Sequence, residues 1–564
     1  MRSRLLKDLV AVDMDNTDES TRLGRVGLEI VLGVLILLLS THCFTTCRYL
    51  LQSFRNRRYK GKEPSSLPYQ LPGIGSAFQL VTNPHRFFDS IANRIKDGEP
   101  VRLRLGNLHA YLIHGSRNIQ HVFRCSRDLT FEEFALRVAH KVKRLPAEDV
   151  ALVAKDLSGS SRVPLTDVPS EDPSRIWRKF HEIYENHLIG GKAVSFLTDL
   201  FVGSLVKEID SVPDNEWMQC GVDEFMKDKM FRASTIALAG PGVFDIDPDF
   251  TKNFWDYDHD FMSMLYGLPK FLCRKGCDAR DSCLETTRRY LERGWRNIDW
   301  SATEREDPSW EPNFGSKLVR EREAAMDRYG ISLQGRASFQ MGLIWSINSN
   351  AIPMTSWIII EILRRPEVYQ RIVAEIARVI TKDVSMGVTT VDIPALKKLP
   401  LLNSVYLECL RLRSSVFVVR KLRNSIDVDG YTLKADNLIL APSYLAHKDP
   451  NVWATPQHPP EELWPERFMQ PSTSSSKQTA SNSTLNAGKY FPYGGGSAMC
   501  PGRNYAKQEI LSAVALFFAS FDIEVLHFVD RHGKPSNRGP EVGIEARGVA
   551  RVDRDLLVRL RRMV

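Results

Sequence analysis

Residues 491–510 read "FPYGGGSAMCPGRNYAKQEI" and place a single thiol, Cys500, between a glycine-rich loop and a predicted helix. The three consecutive glycines at 494–496 allow backbone conformations that are closed to other residues, and they allow close approach to a flat ligand. Pro501 and Gly502 then constrain the turn into the helix. The sequence therefore predicts that Cys500 lies at a helix N-terminus, where backbone N–H groups and the helix dipole favour a thiolate.

An isolated cysteine is most often a small buried hydrophobic residue. The surroundings of Cys500 favour another role, because a thiolate held at a helix N-terminus suits an axial ligand to iron. The nine cysteines of the 564-residue chain are too few for a disulfide scaffold.

The overall composition indicates a globular protein, with 43% hydrophobic and 26% charged residues. The net charge of +8 comes from 76 basic and 68 acidic residues. Spread over this length, it argues against a dedicated nucleic-acid-binding protein and allows a basic face toward a membrane or an acidic partner.

One long apolar segment, Val26–Phe44 ("VGLEIVLGVLILLLSTHCF"), has about the ~20 residues that span a bilayer. A long polar segment precedes it and no small-residue cleavage site follows it, which favours a signal anchor over a cleaved signal peptide. More basic residues follow it than precede it, so the positive-inside rule places the body in the cytosol. The predicted organisation is a polar tail at 1–25, a transmembrane signal anchor at 26–44, a basic flank and proline-rich hinge at 45–75, and one domain at 76–564.

Helical patterns dominate the body of the chain. The longest runs from about Gln334 to Arg364 and is apolar on most faces, which predicts a helix buried through the middle of a large domain. Val101–His114 alternates apolar and polar residues and predicts a hairpin. Short strands are predicted at Phe417–Val419 and near Leu438–Ala441. The fold class expected is one large, mainly α domain with small β-sheets.

The segment "YGGGSAMCPGR" at 493–503 resembles the haem-binding signature of the cytochrome P450 family, Phe-x-x-Gly-x-Arg-x-Cys-x-Gly. Tyr493 stands at the aromatic position, and Gly496, Cys500 and Gly502 match. The resemblance implies a cytochrome P450 fold in which these residues surround haem b (iron protoporphyrin IX) and Cys500 is the proximal iron ligand.

The resemblance also implies contacts to the edge of the haem. Ala498 stands where the family usually has a basic residue that binds a haem propionate, so this contact is in doubt. Arg420 lies where the family commonly has a propionate-binding arginine. Trp177 and His181, in "IWRKFHEIY", resemble the Trp-x-x-x-Arg of a haem-contacting helix, with histidine replacing arginine. Each of these three residues could equally serve packing or the surface.

Two further motifs support the resemblance. "ECLR" places Glu408 and Arg411 three residues apart, on one helix face where they can pair directly. "ELWPERFM" resembles the family's Pro-Glu-Arg-Phe element and contains Arg467. The resemblance implies a buried Glu–Arg–Arg cluster that locks the core around the haem.

The chain departs from the family in its central helix. Most members carry an acid and an alcohol there, which relay the protons that dioxygen activation consumes. Here the matching stretch is "INSNAIP", so Asn350 stands at the acid position and Ala351 at the alcohol position. The pattern Trp-x-x-Asn-x-Asn-x-Ile-Pro resembles the branch that contains the sterol 7α- and 12α-hydroxylases, prostacyclin synthase and related fungal enzymes of secondary metabolism.

The resemblance implies a monooxygenase that oxidises an apolar sterol- or terpenoid-like substrate. Its electrons would come from a separate NADPH-cytochrome P450 reductase, which would dock near Lys489, Arg503 and Lys507. The enzyme would be a single-pass protein of the endoplasmic reticulum membrane with a cytosolic catalytic domain.

Two alternatives remain at this stage. The branch includes an isomerase, and the missing alcohol at Ala351 is compatible with an electron-independent haem-thiolate isomerase or dehydratase that acts on a peroxide substrate. The other alternative is a haem- or lipid-binding protein without turnover. Oxygen consumption with reductase, NADPH and an apolar ligand distinguishes it from the enzymes.

Overall fold

A computed structural model describes residues 2–58, 62–92, 95, 98–298, 308–383, 388–469, 488–541 and 547–563. For residues 2–24, 57, 58, 383 and 388 only the backbone is described.

Helices make up most of the described chain. In the first half they are α1 (Arg2–Arg58), α2 (Ala77–Thr82), α3 (Pro84–Ala92), α4 (Ser116–Arg124), α5 (Glu132–Lys141), α6 (Ala147–Val153), α7 (Ile176–Leu188), α8 (Gly191–Asp210), α9 (Val222–Ala239), α10 (Gly242–Ile246), α11 (Phe250–Leu265) and α12 (Arg274–Asn297). In the second half they are α13 (Lys317–Arg328), α14 (Leu333–Leu363), α15 (Pro366–Ile376), α16 (Ile393–Leu396), α17 (Pro400–Arg413), α18 (Ser443–His447), α19 (Pro450–Trp453) and α20 (Arg503–Ser520).

The strands are short and form small sheets. They are β1 (Val101–Leu105), β2 (Leu108–Leu112), β3 (Leu129–Thr130), β4 (Trp217–Gly221), β5 (Trp310–Glu311), β6 (Gly315–Ser316), β7 (Ile380–Asp383), β8 (Val388–Val391), β9 (Phe417–Leu422), β10 (Ile426–Val428), β11 (Tyr431–Leu433), β12 (Leu438–Pro442), β13 (Phe521–Asp530), β14 (Pro535–Ser536) and β15 (Arg554–Arg562). One sheet has the order β1-β2-β12-β9-β3 and another the order β14-β13-β15-β4; β2 and β12 pair in parallel, whereas the other pairs of these two sheets are antiparallel.

The core of the domain is built around α14. This helix packs against α9, α12, α17 and α20, and most of its residues from Ala351 to Leu363 are buried. A helix that is apolar on nearly all faces has to be enclosed by other helices. The prediction of a mainly α domain with small sheets, with one buried helix through its middle, is confirmed.

Within the described chain, one single helix is long and apolar enough to cross a membrane, at Arg25–Asn56 with a mean hydropathy of 2.1. The helix continues beyond Phe44, and its last turns pack on the body. Thr45 Oγ1 donates to the Tyr69 carbonyl at 2.9 Å. Gln52 Oε1 accepts from Ser66 N–H at 2.9 Å. The part of the basic flank up to Arg58 is helical, and hydrogen bonds fix it to the proline-rich segment that follows.

Candidate active site

The loop before α20 folds back on itself around Cys500. The Cys500 N–H donates to the Tyr493 carbonyl at 3.0 Å, and a 3-10 turn spans Gly496–Ala498. The thiol is solvent-accessible, yet burial raises its pKa, and the backbone N–H groups of Gly502 and Arg503 act in the opposite direction. A side chain that is both accessible and surrounded by protein faces an enclosed space. We therefore infer that the sulfur faces an internal cavity. The predicted backbone donors lie beside it, but burial outweighs them, so the net shift of the thiol pKa is upward and the expected preference for a thiolate is not seen.

Two of the loop glycines are required by close packing. A Cβ at Gly495 would lie 2.3 Å from the Phe123 ring. Gly496 has a φ of +69°, in the left-handed region that favours glycine, and its Cβ would lie 3.0 Å from the Phe123 carbonyl. Phe123 in turn packs edge-on against Phe491 at 5.6 Å. These glycines were predicted to allow close approach to a flat ligand. In the structure they also allow the loop to pack against α4.

Arg420 is a half-buried cation that the described residues leave without a carboxylate within salt-bridge distance. Its guanidinium donates to the Gly495 carbonyl at 3.3 Å and lies 5.3 Å from the centre of the Phe131 ring. Burial lowers its pKa to about 10, and Glu132 raises it to a smaller extent. Arg420 and Ala498 line one crevice beside the cysteine loop. A guanidinium placed in this way suits an acidic group at the edge of a cofactor, on the side where Ala498 supplies no charge.

Trp177 and His181 lie one turn apart on α7, a helix that packs against α20. Both side chains are half-buried. Trp177 packs in a cluster with Phe180, and His181 Nε2 lies 3.5 Å from Glu185. Burial lowers the pKa of His181, so the imidazole is biased toward its neutral form. Their contact with the haem stays a prediction.

The structure brings Glu408, Arg411 and Arg467 together. Arg411 donates to both carboxylate oxygens of Glu408 at 2.8 Å, and Arg467 Nε donates to one of them at 2.9 Å. The Glu408 and Arg411 side chains are fully buried, and Arg467 is 6% exposed. Arg411 also donates to the carbonyls of His447 and Pro460, so the cluster joins α17 to α18 and to the segment that carries Arg467.

His447 connects this cluster to the cysteine loop, and the sequence analysis missed it. Its Nε2 accepts from Phe491 N–H at 3.0 Å, and its Nδ1 therefore donates to the Arg411 carbonyl at 3.1 Å. Burial, followed by the charge of Arg411, lowers its pKa to about 3. A neutral, fully buried imidazole thus fixes the start of the loop that holds Cys500. A lone histidine 53 positions before the cysteine carries no motif that would have identified it.

The central helix exposes one face although it runs through the core. Ser346 is exposed, and Trp345 and Asn350 are half-buried, whereas Ala351 is 3% exposed. Of the two residues predicted for proton delivery, Asn350 therefore lies on the accessible face and Ala351 packs in the core. The Asn350 Oδ1 atom accepts from Val549 N–H at 2.9 Å.

Strand β9 connects this face to the cysteine loop. Ser415, two residues before β9, has an N–H that donates to the Gly548 carbonyl at 2.7 Å, next to the Val549 contact of Asn350. Further along the same strand, Arg420 reaches the loop before Cys500. The accessible face of α14, the segment at 547–550 and the cysteine loop are therefore joined through β9 and the residues just before it.

A buried polar cluster lies behind α14, where α9 and α20 pack against it. Both carboxyl oxygens of Glu509 and the Asn348 Oδ1 atom are buried without a hydrogen-bond partner among the described residues. Burial raises the pKa of Glu509 to about 8, and the nearby Ser234 hydroxyl opposes this shift. The carboxyl group is therefore mostly protonated at neutral pH. Glu509 could not be identified from the sequence, because a single glutamate in an apolar helix belongs to no recognisable motif.

These features fit a haem. They are a thiol with two backbone donors, a half-buried guanidinium without a carboxylate partner among the described residues, and an accessible face on the central helix. A sulfur ligand suits iron, and a guanidinium suits a propionate.

Comparison with known proteins agrees with the site. The cytochrome P450 family model matches residues 351–546, which include the cysteine loop. The chain is 30% identical over 506 residues to the cytochrome P450 monooxygenase calL of Penicillium decumbens, and the match covers 89% of this chain and 93% of that one. It is 22% identical to the cholesterol 7-alpha-monooxygenase of Cricetulus griseus, with 84% and 89% covered. The solved structure of retinoic-acid-bound cyanobacterial CYP120A1 superimposes with a TM-score of 0.62 at 17% identity, covering 90% of this chain and all of that one.

The thiol at the start of α20, the loop seated on α4 and the long match to monooxygenases of the same architecture lead to one assignment. The chain belongs to the cytochrome P450 family and is a haem-dependent monooxygenase.

Proposed function

We propose that this monooxygenase oxidises an apolar substrate of sterol or terpenoid size, with electrons from a separate NADPH-cytochrome P450 reductase. The observation that carries the proposal is the accessible face of α14, at Ser346 and Asn350, within a helix that is otherwise apolar and buried. An apolar cavity with a few polar groups is the usual form of a small-molecule site. The likeness to a cholesterol 7-alpha-monooxygenase supports a substrate of this size.

The cofactor in this proposal is haem b, held by Cys500 through its sulfur and by Arg420 through a propionate. The residues predicted to contact the ring and its edge are Trp177, His181, Tyr493, Gly496 and Gly502. When bound, the haem supplies the iron that activates dioxygen. The protein contributes the ligand, the orientation of the ring and the exclusion of water. Tyr493 supports the loop, because its hydroxyl lies 2.6 Å from that of Tyr406.

Proton delivery in this proposal depends on Asn350. A carboxamide does not titrate, but its C=O and N–H groups orient a water molecule. The Ala351 methyl group has no proton to transfer. The hydrogen bond from Val549 holds the carboxamide by its oxygen, and the Nδ2 group lies 3.3 Å from Ser349 Oγ. Asn350 is thus held by Val549 in the segment at 547–550.

We propose a single-pass anchor at 26–44 in the endoplasmic reticulum membrane, with the domain at 76–564 in the cytosol. The apolar helix supports the anchor, and its side chains lie away from the core. The reductase would bind near Arg503, whose Nη1 donates to the Cys500 carbonyl, together with Lys489 and Lys507.

Deleting residues 2–44 should release most of the protein from membranes and leave the haem spectrum unchanged. The cut retains Thr45–Arg58, since these turns pack on the body. A transmembrane helix holds a protein far more strongly than an interfacial patch does. The measurement is sedimentation with membranes, together with the carbon monoxide spectrum. Deletion of residues 2–24 alone is the control and should stay membrane-bound. Full membrane retention without the helix, or a folded protein without haem, would contradict the anchoring role.

The function is tested by reconstitution with reductase, NADPH and a panel of sterols and terpenoids, followed by untargeted product analysis. Product that depends on NADPH and contains one atom from labelled dioxygen supports the proposal. The alternative is an electron-independent isomerase, which would act on a peroxide substrate. Full wild-type turnover of such a substrate without any reductant would replace the monooxygenase proposal with the isomerase.

Replacing Asn350 with leucine should divert most of the electron flow to hydrogen peroxide while product formation falls, on the order of 10-fold or more, since general acid–base groups contribute about 10²–10⁴-fold. Leucine removes both polar groups of the carboxamide. The measurement is product and peroxide formed per NADPH consumed. Thr355→Val is the matched control, because the Thr355 hydroxyl bonds only the Ala351 carbonyl of its own helix. Unchanged coupling in Asn350→Leu would show that proton delivery follows another route.

A further inference from the structure

Lys143 lies in the loop between α5 and α6, with its side chain against the central helix. A Cβ at Gly342 would lie 2.7 Å from the Lys143 Nζ atom, 3.0 Å from Cδ and 3.2 Å from Cε. Any larger residue at 342 would therefore force the lysine to move. The glycine provides the space that the lysine stem occupies.

The helix face that Lys143 contacts is the accessible one. Gly342, Ser346 and Asn350 are spaced by four residues, so they share one face of α14. Ser346 is exposed and Asn350 is half-buried, so this is the face of α14 that the proposed function assigns to the substrate. Eight residues separate Gly342 from Asn350, which corresponds to about 12 Å along the helix axis. Lys143 therefore lies about two helical turns along α14 from Asn350.

The Lys143 ammonium group has no hydrogen bond or ion pair among the residues that the structure describes. Its one aromatic contact is with Trp345, whose ring centre lies 5.6 Å from Nζ. Burial lowers its pKa to about 8, and the positive charge of Arg322 lowers it further. The residue as a whole is half-buried, and the lowered pKa indicates that protein surrounds the ammonium group at its end.

Asp258, the acidic side chain that Trp345 contacts, already has a cationic partner. Asp258 accepts from Arg547 at 2.6 Å and from the Trp345 indole N–H at 2.9 Å. Trp345 is held further by stacking on Phe261, with ring centres 4.0 Å apart and planes inclined by 8°. The Trp345 ring that Lys143 contacts is therefore held in place, and the Asp258 carboxylate beside it is paired with Arg547.

A buried ammonium group without a counter-ion is unfavourable unless a ligand supplies one. We infer that Lys143 is a specificity-determining residue that binds the carboxylate of an apolar acid substrate, with the oxidised carbon on the order of 12 Å from the acid group. The inference rests on the proposed function for the position of oxidation. The binding of the acid itself rests on Lys143, Gly342 and Trp345 alone.

The test uses the full-length holoenzyme in phospholipid nanodiscs and three pairs of probes: palmitic, lithocholic and oleanolic acids, each with its methyl ester. Affinity is measured by the substrate-induced change in haem absorption and, independently, by calorimetry. The wild type should bind at least one acid about 10- to 100-fold more tightly than its ester, as expected for a charged hydrogen bond. Lys143→Met should remove this preference and leave ester binding unchanged, and Lys143→Arg should restore it.

Lys141→Met is the matched control, because Lys141 is an exposed lysine at the end of α5. It should keep the acid preference. A wild type that binds no acid more tightly than its ester, including one that binds neither, overturns the inference. A Lys143→Met variant that retains the preference and a normal carbon monoxide spectrum also overturns it. Selective acid binding without NADPH-dependent product would instead contradict the proposed function and leave the inference standing.

Discussion

Replacing Cys500 with serine is expected to remove the strongly red-shifted absorption of the reduced carbon monoxide complex and to reduce monooxygenase activity to background. The sulfur is the group that donates electron density to the iron in this family, and a serine oxygen does not substitute for it. In the structure the thiol faces the cavity and lies beside the N–H groups of Gly502 and Arg503. The loop geometry does not depend on the sulfur, because the hydrogen bond from the Cys500 N–H to the Tyr493 carbonyl joins two backbone groups.

Cys125→Ser is the control for this experiment. Cys125 is another partly accessible free thiol, at the end of α4. Its loss should leave the spectrum and the activity unchanged. A folded Cys500→Ser protein that keeps the thiolate-type spectrum would show that a different residue is the iron ligand. Measurement of haem content in the same samples separates loss of the ligand from loss of the cofactor.

The sequence located the parts of the site that depend on local spacing. The thiol at a helix start follows from neighbouring residues, and so does the pair of Glu408 and Arg411 on one helix face. Arg467 was assigned to the same cluster because the short motif that contains it resembles the family's Pro-Glu-Arg-Phe element. The buried central helix followed from its composition alone, because an apolar surface on every side has to be covered.

The remaining contacts join positions that are distant in sequence. Asn350 meets Val549, 199 residues later, and His447 meets Phe491, 44 residues later. Lys143 fits the space left by Gly342. At least one partner in each of these pairs carries no motif, and the contact appears only when two elements pack. No sequence signal separates Asn350 from Ala351, since a rotation of about 100° around the helix axis decides which of them is accessible.

Replacing Glu408 with alanine is expected to lower the free energy of unfolding by about 3–5 kcal/mol, because it leaves two buried guanidinium groups without a counter-charge. The carboxylate accepts from Arg411 at 2.8 Å through both oxygens, from Arg467 at 2.9 Å and from Trp464 N–H at 3.1 Å. Domains are commonly stable by only about 5–15 kcal/mol. The variant should therefore contain a large unfolded fraction and little haem.

Glu466 provides the matched control, since it lies one residue before Arg467 and also pairs with an arginine. Its partner Arg371 is 50% exposed, and Glu466 itself is 28% exposed. Solvent screens such a pair, so Glu466→Ala should change stability by less than about 1 kcal/mol. The measurement is urea unfolding followed by tryptophan fluorescence, with haem content per protein. Equal, small effects of the two substitutions would show that the Glu408 cluster behaves as a surface ion pair. A large effect of Glu408→Ala alone would establish that the cluster holds α17, α18 and the Arg467 segment together, and with them, through His447, the loop that presents Cys500.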